Sequence, residues 1–149
     1  MKNIRLPARR ENLQALIEFV SDRAKGCGFT PKRIMEVELA AEEALVNILT
    51  YAYPKSTGDI EIAAKSGSGS QLVVEITDNG VAFDPLSLPV PDLLAELAIR
   101  QVGGLGVFFV RQMADHVAYR RKEDANVLTL TFTRRDPRKQ GHTNHTEGS

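Results

Sequence analysis

Two stretches of this chain carry apolar residues at every second position, and they constrain the fold more than anything else in it. Leu72, Val74 and Ile76 share one face of the first. In the second, Leu128, Leu130 and Phe132 oppose Thr129, Thr131 and Thr133. Successive side chains of a strand point to opposite faces, so each stretch is a strand with one buried and one wet face. A shorter alternation sets Ile60, Ile62 and Ala64 against Glu61 and Lys65, and residues near 2–7 and 116–121 suit further strands. A sheet of this kind needs a covering layer on one side only.

Helical spacing supplies that layer. Leu13, Leu16, Ile17 and Val20 predict a helix near 10–25, ended by Gly26 and Gly28. Thr30-Pro31 is a helix start: the threonine caps, and proline suits the first helical position. The helix it opens runs to about Ala52, with Ile34, Val37, Ala41, Leu45 and Ile48 as its buried stripe and Pro54 as its stop. Ala40, Ala41 and Ala44 let it lie close to a sheet. Residues 84–102, with Pro85, Pro89 and Pro91, read as a connection holding a short helical piece near 92–99. Another helix is expected from Gly104 to about Ala114, with Val107, Phe108 and Val110 apolar. The predicted fold is an α/β two-layer sandwich, helices packed on one face of a mixed, mostly antiparallel sheet. It fills one domain over residues 1–136, and the polar stretch 137–149 is expected to be a disordered tail.

Composition narrows the function. Nineteen basic and nineteen acidic residues cancel, which gives no electrostatic case for nucleic acid or an anionic membrane surface. Cys27 is the single cysteine, so no internal disulfide framework exists, and it reads as a reduced thiol. His116, His142 and His145 lack metal-site spacing with it. No apolar run approaches the roughly 20 residues of a membrane helix, and the N-terminus has no signal-peptide pattern. The expected location is the cytoplasm.

Three segments carry chemistry. Glu43 and Asn47 stand four residues apart on the second helix and so share a face. An amide oxygen is a hard-cation ligand, and a carboxylate one turn away can accept a proton. Counting by two from Leu72 places Asp78 on the apolar strand face, where a carboxylate is costly without a hydrogen-bond partner. It suits an amine donor such as adenine N6, with Gly80 leaving room for a planar base and Phe83 walling the pocket; taken alone, the segment reads first as an Asp-Asn-Gly turn. Gly103-Gly104-Leu105-Gly106 before a helix is either a phosphate cradle or a flexible joint. It is neither a P-loop nor a dinucleotide fingerprint. Arg100, just before it, is either solvated or placed for phosphate or a partner. Asn126 shares the inward face of the last strand and is either a strand-end residue or a nucleotide contact.

Together the segments resemble the bacterial anti-sigma factor serine/threonine kinases, within the GHKL superfamily that includes gyrase and histidine kinases. The resemblance spans about residues 3–134. Its carriers are Glu43-Ala44-Leu45-Val46-Asn47, Asp78-Asn79-Gly80-Val81-Ala82-Phe83, and Gly103-Gly104-Leu105-Gly106 with Val107-Phe108-Phe109-Val110-Arg111-Gln112. It implies the GHKL (Bergerat) fold and binding of ATP and Mg²⁺. It also implies residue roles: Asn47 as metal ligand, Glu43 as base towards an attacking hydroxyl, and Asp78 on adenine with Gly80 and Phe83 beside it. Gly103, Gly104, Leu105 and Gly106 are implied to line the phosphates. Ala82 departs from the family, which often has glycine there. Implied partners are a STAS-type anti-anti-sigma protein, which is phosphorylated on serine, a sigma factor, and a second copy of the chain. The rival reading is an ATP-binding switch that sequesters a partner without phosphorylating it. Glu43 favours the kinase, since binding alone needs no base.

Overall fold

The computed structural model describes residues 2–53, 57–67, 70–87, 110 and 112–134. Strand β1 (Lys2–Pro7) leads through one 3₁₀ turn into helix α1 (Leu13–Gly26), followed by α2 (Pro31–Tyr51). Then come β2 (Asp59–Gly67), β3 (Gln71–Asp78), β4 (His116–Lys122) and β5 (Ala125–Thr133). The strands form one sheet in the order β1-β2-β3-β5-β4. Every described pairing is antiparallel, in line with the mostly antiparallel sheet expected, and no parallel pair occurs among the described residues. The physical reason is connectivity: β2–β3 and β4–β5 are hairpins, and β5 returns alongside β3 with its direction reversed.

The helices begin and end as their residues dictate. Thr30 caps α2 by accepting a hydrogen bond from the Arg33 amide at 3.2 Å, with Pro31 in the first turn. Gly28, at φ +80°, turns the chain out of α1. Both helices lie on one face of the sheet. Leu16, Ile17, Val20 and Ala24 of α1 and Val37, Ala41, Ala44, Leu45 and Ile48 of α2 are buried there. They meet Ile60, Ile62 and Ala64, then Leu72, Val74 and Ile76, then Leu128, Leu130 and Phe132, all buried. Leu13 and Ile34, expected in the stripes, are partly buried at the core's margin. Of the helix expected from Gly104, Val110 is buried, and Ala114 donates from its amide to the Val110 carbonyl at 3.0 Å.

One buried cation lies in this core. Arg33 is 1% exposed. Its Nη1 donates to Glu36 Oε1 at 2.9 Å and to the Met113 carbonyl at 2.8 Å, and its Nε to the Thr133 carbonyl at 3.0 Å. Nη2 pairs with Asp115 Oδ2 at 2.5 Å, and the guanidinium lies 5.6 Å from the Phe132 ring centre. A buried guanidinium is tolerated only when its donors are met. Here the partners clamp the start of α2 to the start of β4 and the end of β5.

Candidate functional site

Asp78 ends β3 on its inner face, 3% exposed, as the period-two count required. Its register partners are Ile60 on β2 and Asn126 on β5. Oδ1 accepts from the Gly80 amide at 2.9 Å and from Asn126 Nδ2 at 2.9 Å. The turn reading of Asp-Asn-Gly is therefore realised on Oδ1. Among the described residues Oδ2 accepts no hydrogen bond, so the carboxylate keeps one acceptor oxygen for a donor from outside.

Asn126 is the hub of this corner. Its Nδ2 also donates to the Val81 carbonyl at 2.8 Å. Its Oδ1 accepts from the Tyr119 hydroxyl at 2.6 Å, from Arg121 Nη1 at 3.1 Å and from the Phe83 amide at 3.3 Å. Burial pushes the Tyr119 hydroxyl's pKa above its usual value, which keeps it a donor. Arg121 Nη1 further donates to the Gly80 carbonyl at 2.9 Å. Asn126 thus has both amide hydrogens committed, and it fixes the 79–83 turn against the sheet. Of its two sequence readings, the structural one holds. Tyr119 and Arg121 escaped the sequence reading altogether. The signal for Tyr119 was its place two residues after Val117, on the face that looks inward at the edge of the sheet.

Gly80 has a packing role beside the one expected. A Cβ there would stand 2.2 Å from the Ala52 carbonyl oxygen and 2.6 Å from Ala52 Cβ. The glycine lets the turn abut the end of α2, where the Val81 amide donates to the Ala52 carbonyl at 2.8 Å. Ala82 is exposed, and its φ is not positive, so nothing in the described structure asks for a glycine in its place. On the other side of the turn, the Asn79 amide donates to the Tyr53 hydroxyl at 2.8 Å, and that hydroxyl donates to the Asp59 carbonyl at 2.8 Å.

Asn47 and Glu43 approach from α2. Asn47 is 6% exposed, yet its carboxamide makes no hydrogen bond among the described residues. It lines a cavity of about 20 Å³ together with Asp78, Phe83, Tyr119, Asn126 and Ala44. Its amide oxygen and nitrogen are thus free to meet a ligand that enters this cavity. Phe83 does wall the cavity, and its ring stacks on Tyr51 at 4.9 Å between centres. That volume holds about one water. Glu43, one turn before Asn47, is half-buried. Burial first, and the neighbouring charge of Glu42 second, raise its pKa above the usual glutamate value of 4.5. A raised carboxyl suits proton acceptance near neutral pH.

The structure thus brings together Asn47, Asp78, Gly80 and Phe83, with Glu43 on the same helix as Asn47. Gly103, Gly104, Leu105 and Gly106 lie outside the described residues, as do Arg100, the piece near 92–99 and the tail 137–149. No group of three His, Cys, Asp or Glu side chains that could hold a metal exists among the described residues. A cation at this site would rest on Asn47, substrate oxygens and water, a ligand set that suits Mg²⁺. No helix among the described residues is long and apolar enough to cross a membrane.

The sequence profile of the histidine kinase-like ATPase domain matches residues 6–132. The chain is 34% identical over 94 residues to the serine/threonine-protein kinase BtrW of Bordetella bronchiseptica, covering 62% of this chain and 66% of that protein. It is 25% identical over 137 residues to the serine-protein kinase RsbW of Bacillus thuringiensis, covering 89% of this chain and 85% of that one. Among solved structures, the SiaB-SiaC complex from Pseudomonas aeruginosa superposes with a TM-score of 0.62 at 18% identity, over 89% of each chain. The blue-light activated histidine kinase of Erythrobacter litoralis gives 0.59 at 16% identity, over 85% of this chain and 43% of that one. These two likenesses are of fold. With a profile match spanning the sheet, both helices and the Asn47–Asp78 corner, the chain belongs to the histidine kinase-like ATPase domain family and is similar within it to serine-protein kinases.

Proposed function

We propose that this chain is an ATP-dependent protein serine kinase and anti-sigma factor. It phosphorylates a STAS-type anti-anti-sigma protein and sequesters a sigma factor, acting as a homodimer. One observation carries the kinase reading: Glu43, its pKa raised by burial, stands one helical turn from an unpartnered Asn47 amide that faces Asp78. Membership of an ATPase-domain family supports ATP as the nucleotide, and two relatives named as serine kinases support serine as the acceptor. The partner assignment rests on the motif resemblance.

Asp78 Oδ2 accepts a hydrogen bond from the adenine amine, while Oδ1 stays tied to Gly80 and Asn126. Phe83 covers the base. Asn47 would hold Mg²⁺, which would supply neutralisation of phosphate charge. Glu43 takes the proton of the acceptor serine hydroxyl as its oxygen bonds to the γ-phosphorus. The bond from that phosphorus to the β–γ bridging oxygen breaks, and ADP leaves. Gly103, Gly104, Leu105 and Gly106 cradle the phosphates.

The test is phosphate transfer from labelled ATP to a co-encoded STAS-type protein, comparing wild type with Glu43→Gln. Transfer by wild type, lost in the variant at unchanged ATP affinity, is the expected result. ATP binding without transfer by wild type would instead leave a sequestering switch.

A further inference from the structure

We propose that a second groove, at the opposite end of the sheet from Asp78, binds a small phosphate-bearing anion. The groove has a volume of about 410 Å³ and lies between the end of α1 and the strands β1, β2 and β3. Leu72, in its wall, and Asp78 are the two ends of the buried face of β3. Six residues of strand separate them, about 20 Å, so the groove is distinct from the nucleotide corner.

Its charge is one-sided. Lys2, Arg23 and Lys65 line it, and no carboxylate does. Among the described residues none of the three makes an ion pair, whereas on the same sheet Arg5 pairs with Asp59 and Arg120 with Glu75. In a chain whose charges cancel overall, three unpaired cations converging on one concavity focus a local positive field.

Arg23 adds an independent sign. Its Nε is buried and has no hydrogen-bond acceptor among the described residues. A buried donor left without an acceptor costs stability, and a small turn of this side chain towards the groove would let a ligand oxygen relieve that cost. The guanidinium is steadied 6.0 Å over the Phe19 ring, which holds the unmet donor in place. Cys27 Sγ and Ser66 Oγ lie 3.4 Å apart in the same wall. The serine hydroxyl can donate to a ligand oxygen and the small side chains leave it access.

The chemistry that answers this set is a compact polyanion with several acceptor oxygens. A guanidinium fork, two ammonium groups and a hydroxyl match a phosphate or diphosphate group. Small-molecule sites commonly fall in the range of about 300–1,000 Å³, and this groove does too. A nucleic acid or a long acidic segment would need a basic stripe, and the cations are confined to one concavity.

The experiment uses the full chain, ¹⁵N-labelled, titrated with inorganic pyrophosphate at constant ionic strength. The expected result is saturable shifts of the Gly26, Cys27 and Ser66 amides and of the Arg23 Nε–H resonance. Alkylation of Cys27 by iodoacetamide should slow in parallel. Arg23→Gln and Lys65→Gln should each weaken the apparent affinity roughly tenfold or more. Lys65 is exposed, so its variant stays folded and keeps the test decisive if Arg23→Gln does not fold. Shifts near Asn47 and Asp78 report the nucleotide corner separately. Absence of saturable shifts in the groove, equal affinity in Lys65→Gln, or the same shifts with chloride at matched ionic strength would each overturn the proposal.

Discussion

Asn126 Nδ2 donates to Asp78 Oδ1 at 2.9 Å across a β3–β5 register pair, so the carboxylate is held by the residue directly opposite it. Four further hydrogen bonds converge on the same amide, from Tyr119, Arg121 and the Phe83 backbone and to the Val81 carbonyl. Asn126→Ala should cost about 1–3 kcal/mol of stability, because it strands buried donors and acceptors. ATP affinity should fall with it, since Asp78 and Phe83 both lose their anchor. Urea unfolding and calorimetric titration measure the two effects. A variant as stable and as tight as wild type would remove Asn126 from its central role.

Asp78→Asn should keep the turn and lose the ligand. The remaining carbonyl oxygen can still accept from Gly80 and Asn126, while the other oxygen becomes a donor facing a donor. The expected loss of ATP affinity is about 1.5–3 kcal/mol, that of one hydrogen bond to a charged acceptor. Near-native urea stability with weakened titration heat is the signature sought, and unchanged affinity would exclude Asp78 from the base contact.

Glu43 has a pH dependence whose sign follows from burial. Its folded-state pKa lies above the unfolded value, so the fold favours the protonated form. The stability linked to that proton is present below the ordinary glutamate pKa and is lost as pH rises through the raised folded value. Glu43→Gln should therefore leave stability at neutral pH unchanged or higher. Catalysis runs the other way. Transfer needs the ionised carboxylate, so the acid limb of the rate profile should sit above 4.5 in wild type and vanish in Glu43→Gln. The variant should be roughly 10²–10⁴-fold slower. An acid limb that survives the substitution would assign the base elsewhere.

Gly80 and Ala82 separate packing from family pattern. Gly80→Ala should destabilise by about 1–3 kcal/mol, because its Cβ would drive into the end of α2. Ala82→Gly restores the family glycine yet should gain no ATP affinity. It should lose about 0.4–1 kcal/mol through a more mobile unfolded chain. Thermal unfolding and titration of both variants decide it. Tighter ATP binding by Ala82→Gly would mean the alanine methyl does obstruct the site.

Much of this architecture was readable beforehand because it depends on local periodicity. The α2 cap at Thr30, the inner faces of β2, β3 and β5, and the inward position of Asp78 all follow from spacing. What spacing does not encode is partnership over long range. The contacts of Asn126 depend on strand register, and those of Gly80 on where α2 ends against a turn far along the chain. Arg33 was missed although it falls four residues before Val37 on the buried stripe. A guanidinium there reads as exposed until Asp115 and Thr133 are known to meet it. The purely antiparallel sheet turns on the same point, since pairing direction is set by how distant strands return.

The position of β5 has a consequence for how the protein is made. It is the last described strand in the chain, yet it lies inside the sheet between β3 and β4. Translation therefore delivers both of its neighbours first, and β3 waits with a bare, apolar edge of the kind that recruits other chains. Arg33 waits too, for a carbonyl 100 residues downstream. Proteolysis of stalled nascent chains should show protection of α2 only after Thr133 has left the ribosome, and earlier protection would contradict this order. A chain built this way cannot fold piecemeal: a partly synthesised copy lacks the strand that joins β3 to β4.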